Sequence, residues 1–291
     1  MTQETNNNNN TIITERFISL EKIIASKNKR LLKIIPKRVM SWFKKLICLD
    51  RINAIIYKYR DVSGVNFATK VLEELHINLE IINEENIPYQ GRPLIVANHP
   101  IGSIDGMALI SILGRKRDDV MFPVNDILCQ LPGLKNVFVP INKYGKNNSN
   151  HNTLNNAFAS DSCMMFFPAG TESKKINGVV QDFRWKKSFI KKAQEFNRDI
   201  TPVYIEGINS KGFYRLSAIR RFFGIKFDLE MILLPREMFL QEGKTIRLTF
   251  GKAIPIKKID NRYSTQQWAD KLRDFVYRLK DNTKSEFQVL D

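Results

Sequence analysis

The chain has 291 residues, 43% of them hydrophobic and 26% charged, which suits one large globular domain with an added arm and excludes a disordered or fibrous chain. Lysine and arginine number 46 against 30 acids, and the resulting formal net charge of +16 must attract something anionic: a nucleic acid, an anionic bilayer or an acidic carrier protein. Cys48, Cys129 and Cys163 are odd in number, far apart and without a C-x-x-C pair. That spacing argues against a disulfide framework or a thiolate zinc site and fits a reducing compartment.

Residues 1–15 are polar, with an asparagine run from Asn6 to Asn10, and read as a disordered lead-in without a signal segment. Between Lys27 and Asp61, eleven basic residues face only Asp50 and Asp61, a local net charge of +9. Leu31, Leu32, Ile34, Ile35, Val39, Met40, Trp42, Phe43, Leu46 and Ile47 lie among those charges. Basic residues interleaved with large apolar ones describe a helix lying in a bilayer interface. An amphipathic helix packed on the domain core is the alternative. No apolar run reaches the roughly 18–20 residues that span a membrane. Pro36 starts a helix or breaks the segment. Residues 16–70 are therefore expected to form a basic amphipathic helical arm on the cytoplasmic face of a membrane, peripheral or monotopic, ahead of a folded domain over 71–291.

Beyond the arm, Pro93–Ala97 is a short apolar run of the kind buried on both faces of a sheet. A helix is predicted over Ser103–Leu113, then strands at Val120–Val124 and Val137–Ile141, a helix at Asn152–Ala159, a strand at Cys163–Phe167 and a helix over Trp185–Asn197. Ile200–Ile205 and Thr245–Phe250 read as further strands, and a last helix runs over Thr265–Leu279 with Ser264 as its N-cap. Strands alternating with helices predict an α/β domain with a mostly parallel central sheet flanked by helices.

The strand at 93–97 delivers Asn98 and His99 to its carboxyl end, where open α/β sheets bind ligands. Pro100 and Gly102 shape a tight turn, and Asp105 falls in the first turn of the next helix. A carboxylate at that spacing can fix the tautomer of His99 and leave its other ring nitrogen as a general base. The pair is two thirds of a serine-hydrolase triad without the nucleophile, a part that an acceptor's hydroxyl or amine can play. A satisfied structural histidine is the alternative. In Phe166-Phe167-Pro168-Ala169-Gly170-Thr171-Glu172-Ser173-Lys174-Lys175 a buried strand ends in Pro and Gly, and its loop can form an anion nest or be an ordinary solvated turn. Lys143, just past a strand, can hold a carboxylate or phosphate or be a surface lysine. There is no G-x-S-x-G, Walker loop or G-x-G-x-x-G, and His76 and His151 lack ligand-spaced partners, so no metal or cofactor is expected.

Together these stretches resemble the glycerolipid acyltransferase superfamily, which includes lysophosphatidic acid acyltransferases. The N-H-x-x-x-x-x-D pattern falls on Asn98, His99 and Asp105, and F-P-x-G-x-x-S falls on Phe167, Pro168, Gly170 and Ser173. The likeness covers about residues 75 to 255. It is stronger to the hemolysin-like and amino-acid-lipid branch, which makes ornithine or glycine lipids. Asp182-Phe183-Arg184-Trp185-Lys186, Gly207-Ile208-Asn209-Ser210 and Pro235-Arg236-Glu237-Met238-Phe239 carry that resemblance. Members making phosphatidic acid carry Glu and Arg where this chain has Ala169 and Glu172, so a bidentate phosphate grip is not expected.

The resemblance implies transfer of an acyl chain from an acyl carrier protein or coenzyme A thioester to the hydroxyl of a lyso-amino-acid lipid. His99 would act as base and Asp105 would orient it. Asn98, Gly102, Lys143, Pro168, Gly170, Thr171, Ser173 and Lys174 would bind substrate, with backbone N–H groups near Gly170 and Thr171 facing the oxyanion. The expected partners are an anionic membrane surface, the acyl donor and the lipid acceptor. A lysophospholipid acceptor, a catalytically silent lipid binder and a nucleic-acid-binding protein are the rival readings; the last leaves the apolar content of the arm unexplained.

Overall fold

The structure is a computed structural model describing residues 18–27, 33–125, 128–141, 148–225 and 228–288. Helices α1 (Leu20–Lys27), α2 (Lys37–Leu46), α3 (Leu49–Lys58) and α4 (Gly64–Glu74) lead into β1 (Asn78–Ile82) and β2 (Leu94–Ala97). Then follow α5 (Ser103–Leu113), β3 (Val120–Val124), β4 (Phe138–Pro140), α6 (Asn148–Ala159), β5 (Cys163–Phe166) and a hairpin of β6 (Lys174–Ile176) and β7 (Val179–Gln181). The chain continues through α7 (Ser188–Glu195), β8 (Ile200–Ile205), α8 (Lys211–Phe222), α9 (Leu234–Phe239), β9 (Thr245–Phe250) and α10 (Thr265–Arg278).

Seven strands form one sheet in the order β1-β9-β8-β2-β5-β3-β4. Every neighbouring pair is parallel except β8–β9. The α/β sheet flanked by helices is thus as the alternation predicts, with β1 and β9 running opposite to the other five strands. Strand β2 shows why its sequence is continuously apolar. Ile95 and Ala97 join the core beneath α4 and α5, whereas Leu94 and Val96 join the core beneath α7 and α10. Both faces are covered, so no residue of the strand is left to face water.

Helix α10 is half-buried by design of its period: Trp268, Ala269, Leu272, Phe275 and Val276 face the sheet. Ser264 caps it, its hydroxyl accepting from the Gln267 N–H at 3.3 Å while the Gln267 side chain accepts from the Ser264 N–H at 2.8 Å. Each large apolar side chain so buried is worth about 1.5–3 kcal/mol.

The arm is less separate than its composition implies. Pro36 is the N-cap of α2. Ile34, Val39 and Trp42 are exposed, but Met40 and Ile47 are buried. Ile55 and Ile56 of α3 enter the core, and Phe67, Ala68, Val71 and Leu72 of α4 pack there with α5. The expected boundary at 70/71 cuts through α4, because the apolar stripe of that helix is core rather than membrane face. Part of the basic stretch, 28–32, and the whole lead-in at 1–15 lie outside the described residues. Among the described residues no helix is long and apolar enough to cross a membrane.

Candidate active site

Asn98 follows β2 and is buried. Its amide donates to the Ile205 carbonyl at 2.9 Å and accepts from the Ile205 N–H at 2.7 Å, adding one side-chain rung to the β2–β8 ladder. Asn98 is therefore a brace, and the expectation that it binds substrate is corrected: both of its polar atoms are already paired with backbone. The turn that follows needs Gly102, whose φ of +112° is strained for any L side chain. Asn209 reaches across from the end of β8 and donates to the Pro100 carbonyl at 3.2 Å.

This turn aims Asp105, in the first turn of α5, back at His99. Oδ2 of Asp105 lies 2.8 Å from His99 Nδ1 and accepts from the N–H groups of Ile101 and Gly102, each at 2.9 Å. A carboxylate held by two amides accepts from Nδ1, so Nδ1 carries the proton and Nε2 presents a lone pair. The ring is stacked on Phe167, centroids 4.2 Å apart at 11°, and Phe167 meets Phe122 edge-on. The His99 side chain is 15% exposed, open enough for a reactant to reach Nε2.

Two further acids surround the ring. Oε1 of Glu172 lies 3.8 Å from His99 Nε2. Asp182 is buried, and its Oδ1 accepts from the His99 N–H at 3.2 Å and from the Ser173 hydroxyl at 2.6 Å. Its Oδ2 accepts from Trp185 Nε1 at 2.8 Å, and its own N–H donates to the Tyr277 hydroxyl at 2.7 Å. Burial pushes the His99 pKa down, but the hydrogen bond to Asp105 and the charges of Asp105, Glu172 and Asp182 outweigh it, and the net shift is upward from 6.5. Burial also raises the Asp182 carboxyl, against the donors that favour its charged form.

The second motif supports the first more than it faces outward. The Ser173 N–H donates to the His99 carbonyl at 2.7 Å while its hydroxyl is held by Asp182. Lys174 is fully buried, with Nζ 3.1 Å from Glu230 Oε1 and 4.7 Å from the Phe213 ring centroid. Ser173 and Lys174 are thus corrected as acceptor ligands, since their polar atoms point inward to partners of their own. Pro168 is buried, and its carbonyl accepts from the Lys186 N–H at 3.1 Å. Gly170 is exposed with φ +68°, and its N–H is donated to the Phe167 carbonyl at 3.0 Å, which removes it as an oxyanion donor. The Thr171 hydroxyl donates to Glu172 Oε2 at 3.3 Å, and its N–H meets no acceptor among the described residues. Lys143 lies outside the described residues.

The stretches 207–210 and 235–239, singled out only by resemblance, meet in space. Glu237 accepts from the Ser210 N–H at 2.6 Å and from its hydroxyl at 2.8 Å, next to the Asn209 that braces the turn after His99. Sequence reasoning did not give Asp182, Asn209 or Glu237 these parts, and it noted Glu172 only as a missing arginine. An isolated acid has no period or spacing that reveals a distant partner.

An activated imidazole at the carboxyl edge of a parallel sheet, with no nucleophile of its own beside it among the described residues, suits transfer to an incoming acceptor. The chain belongs to the Acyltransferase family, whose pattern matches residues 22–285. It is an acyltransferase. Over 265 residues it is 41% identical to a lyso-glycine lipid O-acyltransferase of Bacteroides thetaiotaomicron, covering 90% of this chain and 97% of that one. A lyso-glycine lipid O-acyltransferase of Phocaeicola vulgatus is 39% identical, with 90% and 95% covered. The 1-acyl-sn-glycerophosphate acyltransferase PlsC of Thermotoga maritima superposes with a TM-score of 0.48 at 16% identity, over 89% of this chain and 93% of that one.

Proposed function

We propose that the protein transfers a fatty acyl chain from an acyl carrier protein or coenzyme A thioester to the hydroxyl of a lyso-glycine-lipid acceptor at the cytoplasmic surface of a membrane. The observation that carries the chemistry is the 2.8 Å contact of His99 Nδ1 with an Asp105 carboxylate locked by two amides. The acceptor class rests on the names of the two relatives, each about 40% identical along nearly its whole length. The basic arm, with Trp42 and Val39 exposed among lysines and arginines, supports the location.

In this reading His99 Nε2 takes the acceptor's hydroxyl proton as the oxygen attacks the thioester carbonyl. Asp105 stabilises the imidazolium that results. The oxyanion forms beside the Thr171 N–H, which, unlike that of Gly170, has no acceptor among the described residues. Collapse of the tetrahedral intermediate breaks the C–S bond, and the departing thiolate takes the proton back from Nε2. Water is not consumed, and His99 returns to its starting state. Asn98, Gly102, Ser173 and Asp182 hold the reacting ring in place rather than touching substrate.

The test is turnover of purified protein on lyso-glycine lipid, lyso-ornithine lipid and lysophosphatidic acid, each offered with acyl carrier protein and coenzyme A donors and read by mass spectrometry. Glycine lipid forms fastest, and His99→Ala lowers that rate by roughly 10²–10⁴-fold with an unchanged melting temperature. A folded His99→Ala protein with full turnover removes the mechanism. Preference for lysophosphatidic acid removes the acceptor class and leaves the mechanism standing.

A further inference from the structure

Helix α8 presents the wrong face to water. Phe213, Tyr214, Ser217 and Arg220 are buried, whereas Ile219, Phe222 and Phe223 are 55%, 85% and 69% exposed. Ile225 continues the patch, and Phe222 and Phe223 stand edge-to-face with ring centroids 5.2 Å apart. A helix at the surface of a domain ordinarily buries such side chains. The same helix carries Lys211, Arg215, Arg220 and Arg221 and no acid. Arg215, two turns before Phe222, and Arg221, which precedes it and donates to the Lys175 carbonyl at 2.9 Å, are both exposed. Exposed aromatics flanked by arginine are the composition of a segment that enters a bilayer interface, with the rings among acyl chains and the cations at lipid phosphates. An acidic protein partner would satisfy the arginines but leave two largely exposed phenylalanines without a matching apolar environment of their own.

The position of α8 adds to this. It belongs to the segment between β8 and β9 that borders the reacting turn. Leu234, at the start of α9, is the nearest side chain to the space beside Gly102, 3.1 Å from where a β-carbon would stand. Arg220 of α8 bonds Glu230 at 2.8 Å through Nε, and Glu230 pairs with Lys174, two residues beyond Glu172. A buried chain of charges therefore ties the exposed helix to the loop that faces His99.

We propose that the exposed face of α8, built from Ile219, Phe222, Phe223 and Ile225 and edged by Arg215 and Arg221, is a second membrane-docking surface, distinct from the N-terminal arm, that seats the site mouth on an anionic lipid surface. The inference rests on the reading that the enzyme works at a membrane, but not on which lysolipid it acylates. Docking at two places fixes orientation as well as distance, so an acceptor that stays in the leaflet reaches His99 without leaving it.

The test is flotation of the full chain with vesicles of phosphatidylethanolamine and phosphatidylglycerol, with phosphatidylcholine vesicles as the uncharged comparison. Phe222→Ser combined with Phe223→Ser is compared with Trp42→Ser in α2. Both phenylalanines are exposed, so the double variant keeps its melting temperature. The expected result is a fall in partition to the anionic vesicles of about tenfold or more for the double variant. Turnover on acceptor in detergent micelles stays at the wild-type rate, and the sedimentation coefficient is unchanged. Partition equal to wild type in the double variant, with Trp42→Ser lowering it, overturns the inference and leaves docking to the arm alone. A change in oligomeric state, or loss of turnover with acyl carrier protein as donor only, assigns the face to a subunit or donor contact and also overturns it. A wild-type chain that floats with neither vesicle sinks the membrane reading itself.

Discussion

At the scale of the residue, the site is a histidine among three acids, and the acids do different things. Asp105 fixes the tautomer through a short contact on Nδ1. Asp182 holds the backbone of His99 and the Ser173 hydroxyl. Glu172 stands 3.8 Å from Nε2, the nitrogen that must be unprotonated to act as a base. Its charge favours the imidazolium, so it contributes to a His99 pKa above 6.5. The rate on acceptor should therefore rise with pH through an apparent pKa above that value, because only the neutral ring takes a proton. Glu172→Gln removes a negative charge but keeps the shape. It lowers the His99 pKa, makes the base form available at lower pH and moves the rising limb of the kcat/KM profile to the acid side. A limb that stays put, or moves to higher pH, shows that Glu172 does not act on Nε2.

At the scale of the element, the clearest correction concerns Lys174. Read as a loop lysine after a Pro-Gly turn, it looks free to hold an anion. It instead opens β6, fully buried against Glu230. Burial opposes ionisation of Glu230, but its backbone hydrogen bond, Arg220 and Lys174 outweigh that and bring its pKa down to about 2. A carboxyl depressed in the fold contributes stability that is present above its unfolded value near 4.5 and lost as pH falls toward 2. Lys174→Met strips one cation from this buried cluster and should lower stability by about 3 kcal/mol, read by denaturant unfolding, with the KM for acceptor unchanged. A raised KM with normal stability would restore Lys174 as a substrate ligand.

The same contrast shows what a sequence can disclose about elements. Strands β2, β3 and β8 were legible as apolar runs, β9 by its alternation, and helix α10 as an apolar stripe with a cap. His99 and Asp105 were legible because a turn of fixed length joins them. Helix α8 was not, since its water-facing side is apolar and its buried side holds Arg220 and Ser217, which blurs the helical period. The hairpin β6–β7 was missed although Asn177 and Gly178 both take positive φ, +50° and +85°, the backbone that an Asn-Gly turn selects. The parts of Asp182 and Glu237 at the site were beyond reach, because the His99 and Ser210 amides they hold lie 83 and 27 residues away in the chain.

At the scale of the whole molecule, the net charge is +16, and two helices combine basic residues with exposed apolar side chains. Helix α2 carries Lys37, Arg38, Lys44 and Lys45 with no acid of its own, beside exposed Val39 and Trp42. Helix α8 repeats the combination with Arg215, Arg221 and its phenylalanine pair. Charge and apolar insertion respond differently to salt. Each exposed basic residue near an anionic surface contributes about 1 kcal/mol at low ionic strength, and the screening length falls from roughly 10 Å at 0.1 M to roughly 3 Å at 1 M. Burial of a tryptophan or phenylalanine ring in the interface is not screened. Partition to anionic vesicles should therefore drop by at least about tenfold between 0.1 and 1 M potassium chloride and then level off above zero, at the value seen with phosphatidylcholine vesicles. Binding indifferent to salt would deny the cations a part in docking. Binding abolished at 1 M would deny one to the exposed rings, and with it the reason for their exposure.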